Sequence, residues 1–262
     1  MKRFTQLIAF ALVLVFIPFT FAAGERLDDS TLLSFYKDSV FFGDSRMQAF
    51  RKYIALMRET DEDFLQTVTI VAAESISLYI ASTKYIPDEG IAFSYRGMRL
   101  TTFDIAKRIQ PRKVFVLLGL NDQVANNTEN AMTWVNAFIR RMGEAVPEAA
   151  IYFFSETPVT TKFEKKNKLP DYSSQLDVYN ARLKETCEQN GAHYIEIAEA
   201  LKGEDNLLEP EYSSDGVCHL NNNGVAVWIQ CMKDYAQEQY ELGLWDPYAA
   251  DTSAVTPTDF SD

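Results

Sequence analysis

A chain of 262 residues, 47% hydrophobic and 24% charged, has the material for one α/β domain with a well-buried core. Its formal net charge of −12 repels phosphate backbones and argues against nucleic acid as a partner. Three cysteines, Cys187, Cys218 and Cys231, are too few for a disulfide scaffold, and without CxxC or HxxxH spacing they give metal binding weak support.

The first segment, residues 1–22, has the parts of a secretory signal: Lys2 and Arg3, an apolar run over 7–17, then small residues around 20–22. Pro18 interrupts the run, which is marginal for crossing a bilayer, so export with cleavage is expected and stable membrane insertion is not. The expected division is a signal peptide at 1–22, one domain at 23–245 and an acidic tail at 246–262. That tail lacks Lys and Arg and is expected to be disordered.

Within the domain, short apolar runs rich in Val, Ile, Phe and Tyr alternate with helical patterns. Strands are predicted at 40–42, 68–73, 113–119, 150–155 and 192–197, each nearly continuous in apolar character, as strands covered on both faces are. Helical spacing places Phe50, Tyr53, Ile54 and Met57 on one face, Ala131, Val135, Phe138, Ile139 and Met142 on another, and Val225, Ile229, Met232 and Ala236 on a third. Cys187 falls on a buried helix face with Leu176, Tyr179 and Leu183. Thr101 and Asp104 resemble a capping box, and Arg96-Gly97-Met98 reads as a hairpin tip. The alternation predicts a three-layer α/β/α sandwich around a five-stranded parallel sheet, whose ligands bind beyond the carboxyl ends of the strands.

Those ends carry the chemistry. Residues 43–45, Gly-Asp-Ser, set the Ser45 hydroxyl at a helix N-terminus, beside unpaired N–H groups and the positive end of the helix dipole. Taken alone, the tripeptide also reads as a helix cap. Residues 119–122, Gly-Leu-Asn-Asp, put Asn121 where its neutral amide could donate to an oxyanion or close an Asx-turn. Of the two histidines, His193 opens a strand and reads as structural, which leaves His219 as the imidazole base. Asp215, four residues earlier in a loop, could orient its ring.

In combination these segments resemble the SGNH (GDSL-type) hydrolase family, its secreted bacterial members especially, over about residues 40–240. The resemblance implies Ser45 as nucleophile, His219 as base, Asp215 as orienting acid and Asn121 as an oxyanion donor. Two departures stand out. Three residues separate Asp215 from His219 where the family pattern has two, and Ser75 stands where a glycine supplying an oxyanion N–H is expected. Ser75 is the preferred replacement, with Gly97 as the alternative. The implied flavodoxin-like fold and two-step acyl transfer need no metal or organic cofactor.

The expected function is that of an exported serine esterase acting on short acyl groups, O-acetyl esters of a polysaccharide first. The alternatives are a decayed glycan-binding module on the same fold, or a lipase taking longer chains. Lys162, Lys165, Lys166 and Lys168 read as a solvated cluster or as a device steering an anionic glycan.

Overall fold

The computed structural model describes residues 26–86 and 89–249; the expected signal segment and all of the acidic tail beyond Ala249 lie outside them. In chain order the elements are α1 (Asp29–Ser34), β1 (Ser39–Gly43), α2 (Ser45–Met57), β2 (Thr69–Ala72), α3 (Leu78–Ala81), β3 (Phe93–Tyr95) and β4 (Met98–Leu100). They continue with α4 (Thr102–Ile109), β5 (Lys113–Leu117), α5 (Thr128–Ala145), β6 (Ala150–Phe154), α6 (Thr161–Asn167), α7 (Tyr172–Gln189), β7 (His193–Ile195) and α8 (Asn222–Glu241).

Five strands form one parallel sheet in the order β2-β1-β5-β6-β7. Counted within the sheet this is 2-1-3-4-5, the flavodoxin-like arrangement whose switch point lies between β1 and its neighbour β5. Gly43 pairs with Ala72 on one side and Leu117 on the other, so three strand ends converge at one rim.

Alternate residues of each strand feed opposite faces. Val40, Phe42, Val114, Val116 and Phe153 pack beneath α3, α4, α5 and α7, while Phe41, Phe115, Tyr152 and Phe154 pack beneath α1, α2 and α8. On the second face Phe41 stacks on Phe115 at 4.5 Å and Phe115 on Tyr152 at 4.6 Å, an aromatic row across three strands. Each fully buried side chain of this kind contributes about 1.5–3 kcal/mol. Trp228 of α8 meets Phe50 of α2 at 4.6 Å, fixing the helix that begins at Ser45 against the helix that follows His219.

The predicted helix faces are the ones buried, with Tyr53 and Met57 only half covered. Thr101 caps α4, accepting from Asp104 N at 3.1 Å and donating to the Asp104 carboxylate at 2.7 Å. β3 and β4 form the predicted hairpin, with Arg96 at φ 50° and Gly97 at φ 78° in its turn. Residues 246–249, the described start of the expected tail, make a turn in which Ala249 N donates to Asp246 O. Cys187, Cys218 and Cys231 are all free thiols. No helix among the described residues is long and apolar enough to cross a membrane.

Candidate active site

Gly43 ends β1 under a steric demand, since a Cβ there would lie 2.5 Å from Met47 Cβ and 3.1 Å from Leu117 O. Asp44 follows and caps α2, its Oδ1 accepting from Arg46 N at 2.9 Å. Ser45 is the first helical residue, so its own N–H has no partner within the helix.

Across the rim, Ser45 Oγ lies 2.8 Å from His219 Nε2, and His219 Nδ1 lies 2.6 Å from Asp215 Oδ2. The three predicted residues form a continuous hydrogen-bonded line. The longer spacer is absorbed by winding residues 215–219 around the carboxylate. Asp215 Oδ1 accepts from the backbone N–H of Val217, Cys218 and His219 at 2.8, 3.2 and 3.3 Å, with Gly216 at φ 67°. Partial burial would raise the Asp215 carboxyl, but the bonds from the His219 ring and these amides outweigh it and hold it at about 2.

The loop is also held from outside. Thr160 donates its hydroxyl to Gly216 O at 2.6 Å and its N–H to Val217 O at 3.0 Å, while Lys162 Nζ donates to Asp215 O at 3.1 Å. Lys162 is therefore engaged in bracing the acid's loop.

Ser75 takes φ 57°, the left-handed conformation that favours glycine, which accounts for the glycine expected there. Its N–H makes no hydrogen bond among the described residues, and the residue lines the same cleft as Ser45 and His219. Gly97 sits at the hairpin turn, outside that lining. Asn121 stands at the end of β5 in a 3₁₀ turn, but its amide donates to Ile76 O at 3.0 Å and to Asp44 Oδ2 at 3.3 Å. Both of its hydrogens are thereby directed at protein acceptors. Asp122 beside it accepts from Leu78 N at 2.5 Å and Tyr79 N at 3.1 Å, so the β5 turn stitches down the segment that carries Ser75.

Sequence reasoning missed the group beneath Ser45. Arg46 is 1% exposed and forks onto Asp44, with Nε to Oδ1 at 3.1 Å and Nη2 to Oδ2 at 2.7 Å. Its Nη1 reaches Glu156 Oε2 at 2.6 Å and Thr157 Oγ1 at 3.1 Å. Burial opposes the Arg46 charge, yet the two carboxylates more than compensate and hold the guanidinium protonated well above its ordinary range. The adjoining Gly-Asp-Ser-Arg run was the available signal, but a charged second helical residue ordinarily faces water.

One group of donor atoms among the described residues is close enough to consider for a metal: Asp215, Cys218 and His219, within 4.8 Å of one another. His219 Nδ1 is already committed to Asp215, and burial pushes the Cys218 thiol up to about 11. The set serves the acid–histidine pair as it stands.

A cleft of about 850 Å³ opens beside Ser45, lined from α2, the turn after β2 and the start of α8. Among solved structures the fold is similar to a GDSL-like lipase of Bacteroides thetaiotaomicron (TM-score 0.55, 15% identity, covering 83% of this chain and 94% of that one). It is also similar to a protein of Bacteroides fragilis assigned as an acylhydrolase (0.56, 15%, 77% and 86%). A third similar structure is an acetyl esterase with acetate ion (0.50, 10%, 79% and 99%). No curated protein matches the chain. The model of the GDSL-like Lipase/Acylhydrolase family matches residues 41–227, from inside β1 to inside α8, and the chain belongs to that family.

Proposed function

We propose that the protein is an exported serine esterase that removes short acyl groups, O-acetyl above all, from a carbohydrate. The observation that carries this reading is the line Ser45 Oγ, His219, Asp215 at 2.8 and 2.6 Å. In the proposed reaction Ser45 Oγ attacks the ester carbonyl while His219 Nε2 takes its proton. The negative oxygen is met by the N–H groups of Ser45 and Ser75. Asn121 joins them when its longer bond, to Asp44, is released. Collapse breaks the bond to the alcohol oxygen, which leaves with the proton from His219. Water then attacks the acyl-Ser45 ester, again giving its proton to His219, and the acid departs as Ser45 recovers its hydrogen.

The lining of the cleft supports a short acyl group, since its apolar members are only Ala49, Leu220 and Val225. The expected secretory signal supports export. Purified protein is tested with 4-nitrophenyl esters of increasing acyl length beside its Ser45→Ala variant. Turnover of the acetate that Ser45→Ala lacks supports the reading. Equal background rates across the whole series, and on acetylated glycans, sink it.

A further inference from the structure

Ser45, Gln48, Ala49 and Lys52 occupy positions i, i+3, i+4 and i+7 of α2, and all four line the cleft. They form one stripe that leads away from the nucleophile for about 10 Å along the helix axis. That length exceeds any short acyl group, so what the stripe faces is the alcohol portion of the ester.

The side chains gathered there are free to bind. Gln48, Lys52, Glu74, Asn222 and Asn223 make no side-chain hydrogen bond or ion pair among the described residues. Their neighbour Asn221 is engaged instead, donating to Glu211 O and Ser213 O and capping Gly224 N. Three amides, one ammonium and one carboxylate supply donors and acceptors together, which matches hydroxyl groups that both give and take a hydrogen bond. Lys52 and Glu74 cancel in charge, so the lining favours neither an acidic nor a basic sugar.

We infer that the cleft is a subsite for an uncharged, hydroxyl-rich glycan, read by Gln48, Lys52 and Glu74 together with Asn222 and Asn223 of α8. The inference rests on the esterase reading for its orientation, with the acyl group at Ser45 and the sugar chain along α2. It makes these five residues determinants of substrate choice rather than of chemistry.

The test compares acetylated xylo-oligosaccharide, acetylated oligogalacturonate and 4-nitrophenyl acetate on the wild type and on a Gln48→Ala, Asn223→Ala variant. With each lost hydrogen bond costing about fivefold, the ratio of kcat/KM on the xylo-oligosaccharide to that on 4-nitrophenyl acetate is expected to fall roughly 10- to 30-fold. The wild type is expected to prefer the neutral ester over the acidic one. An unchanged ratio, or a preference for oligogalacturonate, overturns the subsite. Calorimetry with deacetylated xylo-oligosaccharide and the Ser45→Ala protein reads the subsite without catalysis. If no ester is cleaved yet that titration shows binding that Gln48→Ala, Asn223→Ala weakens, the esterase reading fails and the subsite stands. If neither wild type nor Ser45→Ala binds the oligosaccharide, the subsite fails.

Discussion

Asp215 Oδ2 and His219 Nδ1 meet at 2.6 Å across a loop that puts three residues between them. The acid is exposed, but it is saturated with donors, and it stays ionised down to about 2 against an ordinary 3.8. A depressed carboxyl contributes stability that is present above the unfolded value and is lost as pH falls through the folded one. Denaturation midpoints are therefore expected to hold above pH 4 and to drop between about pH 4 and 2, and Asp215→Asn should flatten that drop. In the esterase assay Asp215→Asn should lower kcat by about 10⁴-fold with the fold retained. A loss below tenfold would mean that another acceptor orients His219.

Thr160 grips the same loop by two bonds, at 2.6 and 3.0 Å. Thr160→Val removes the hydroxyl bond and is expected to reduce kcat roughly five- to tenfold with KM nearly unchanged. Thr160→Ser should restore the rate. Equal kcat for Val and Ser variants would show that the brace does nothing for the reaction.

Ser75 occupies a left-handed conformation at φ 57°, which costs a residue with a Cβ about 1–2 kcal/mol. Ser75→Gly should keep full turnover and unfold no earlier than wild type, because the lost strain offsets the added freedom of the unfolded chain. Ser75→Pro deletes the N–H and also forces the turn out of its left-handed conformation, so it should cost at least about 10²–10³ in kcat. Full activity in the proline variant would remove Ser75 from the oxyanion site.

Glu156 shares Arg46 with Asp44 in a setting where all three are about 1% exposed. Glu156→Ala leaves half of that charge arrangement missing and should destabilise the protein by about 3–5 kcal/mol in urea unfolding. Glu156→Gln keeps an acceptor for Arg46 and should cost clearly less. If Ala and Gln behave alike, the ion pair is not what holds the position.

The parts of the site that were legible in the sequence are those whose cause is local. Gly43, Asp44 and Ser45 announce a strand end, a cap and a helix start within three residues, and His219 is one of two histidines. The five strands were legible from their nearly continuous apolar runs; the first predicted run stops one residue short at each end of Ser39–Gly43, and the others run one or two residues past a ladder end, as at 113–119 against Lys113–Leu117. What was not legible depends on partners far along the chain. Arg46 reads as a solvated helix residue until Glu156, 110 positions away, is beside it. Lys162 likewise reads as part of a charged patch until Asp215 O is found against it. The two hydrogens of Asn121 read as free for a substrate until Asp44 and Ile76 are found to accept them, so that a role in the oxyanion hole requires release of the Asp44 bond.

The network around Arg46 has a mechanical consequence for the proposed pair of Ser45 and His219. Ser45 is mounted on a closed ionic block inside the protein, whereas His219 rides on a surface loop secured from outside by two hydrogen bonds from Thr160 and one from Lys162. Ser45 is thus the more firmly mounted of the two and His219 the less. Any opening of the contact between them is therefore expected to come from the histidine's loop rather than from Ser45.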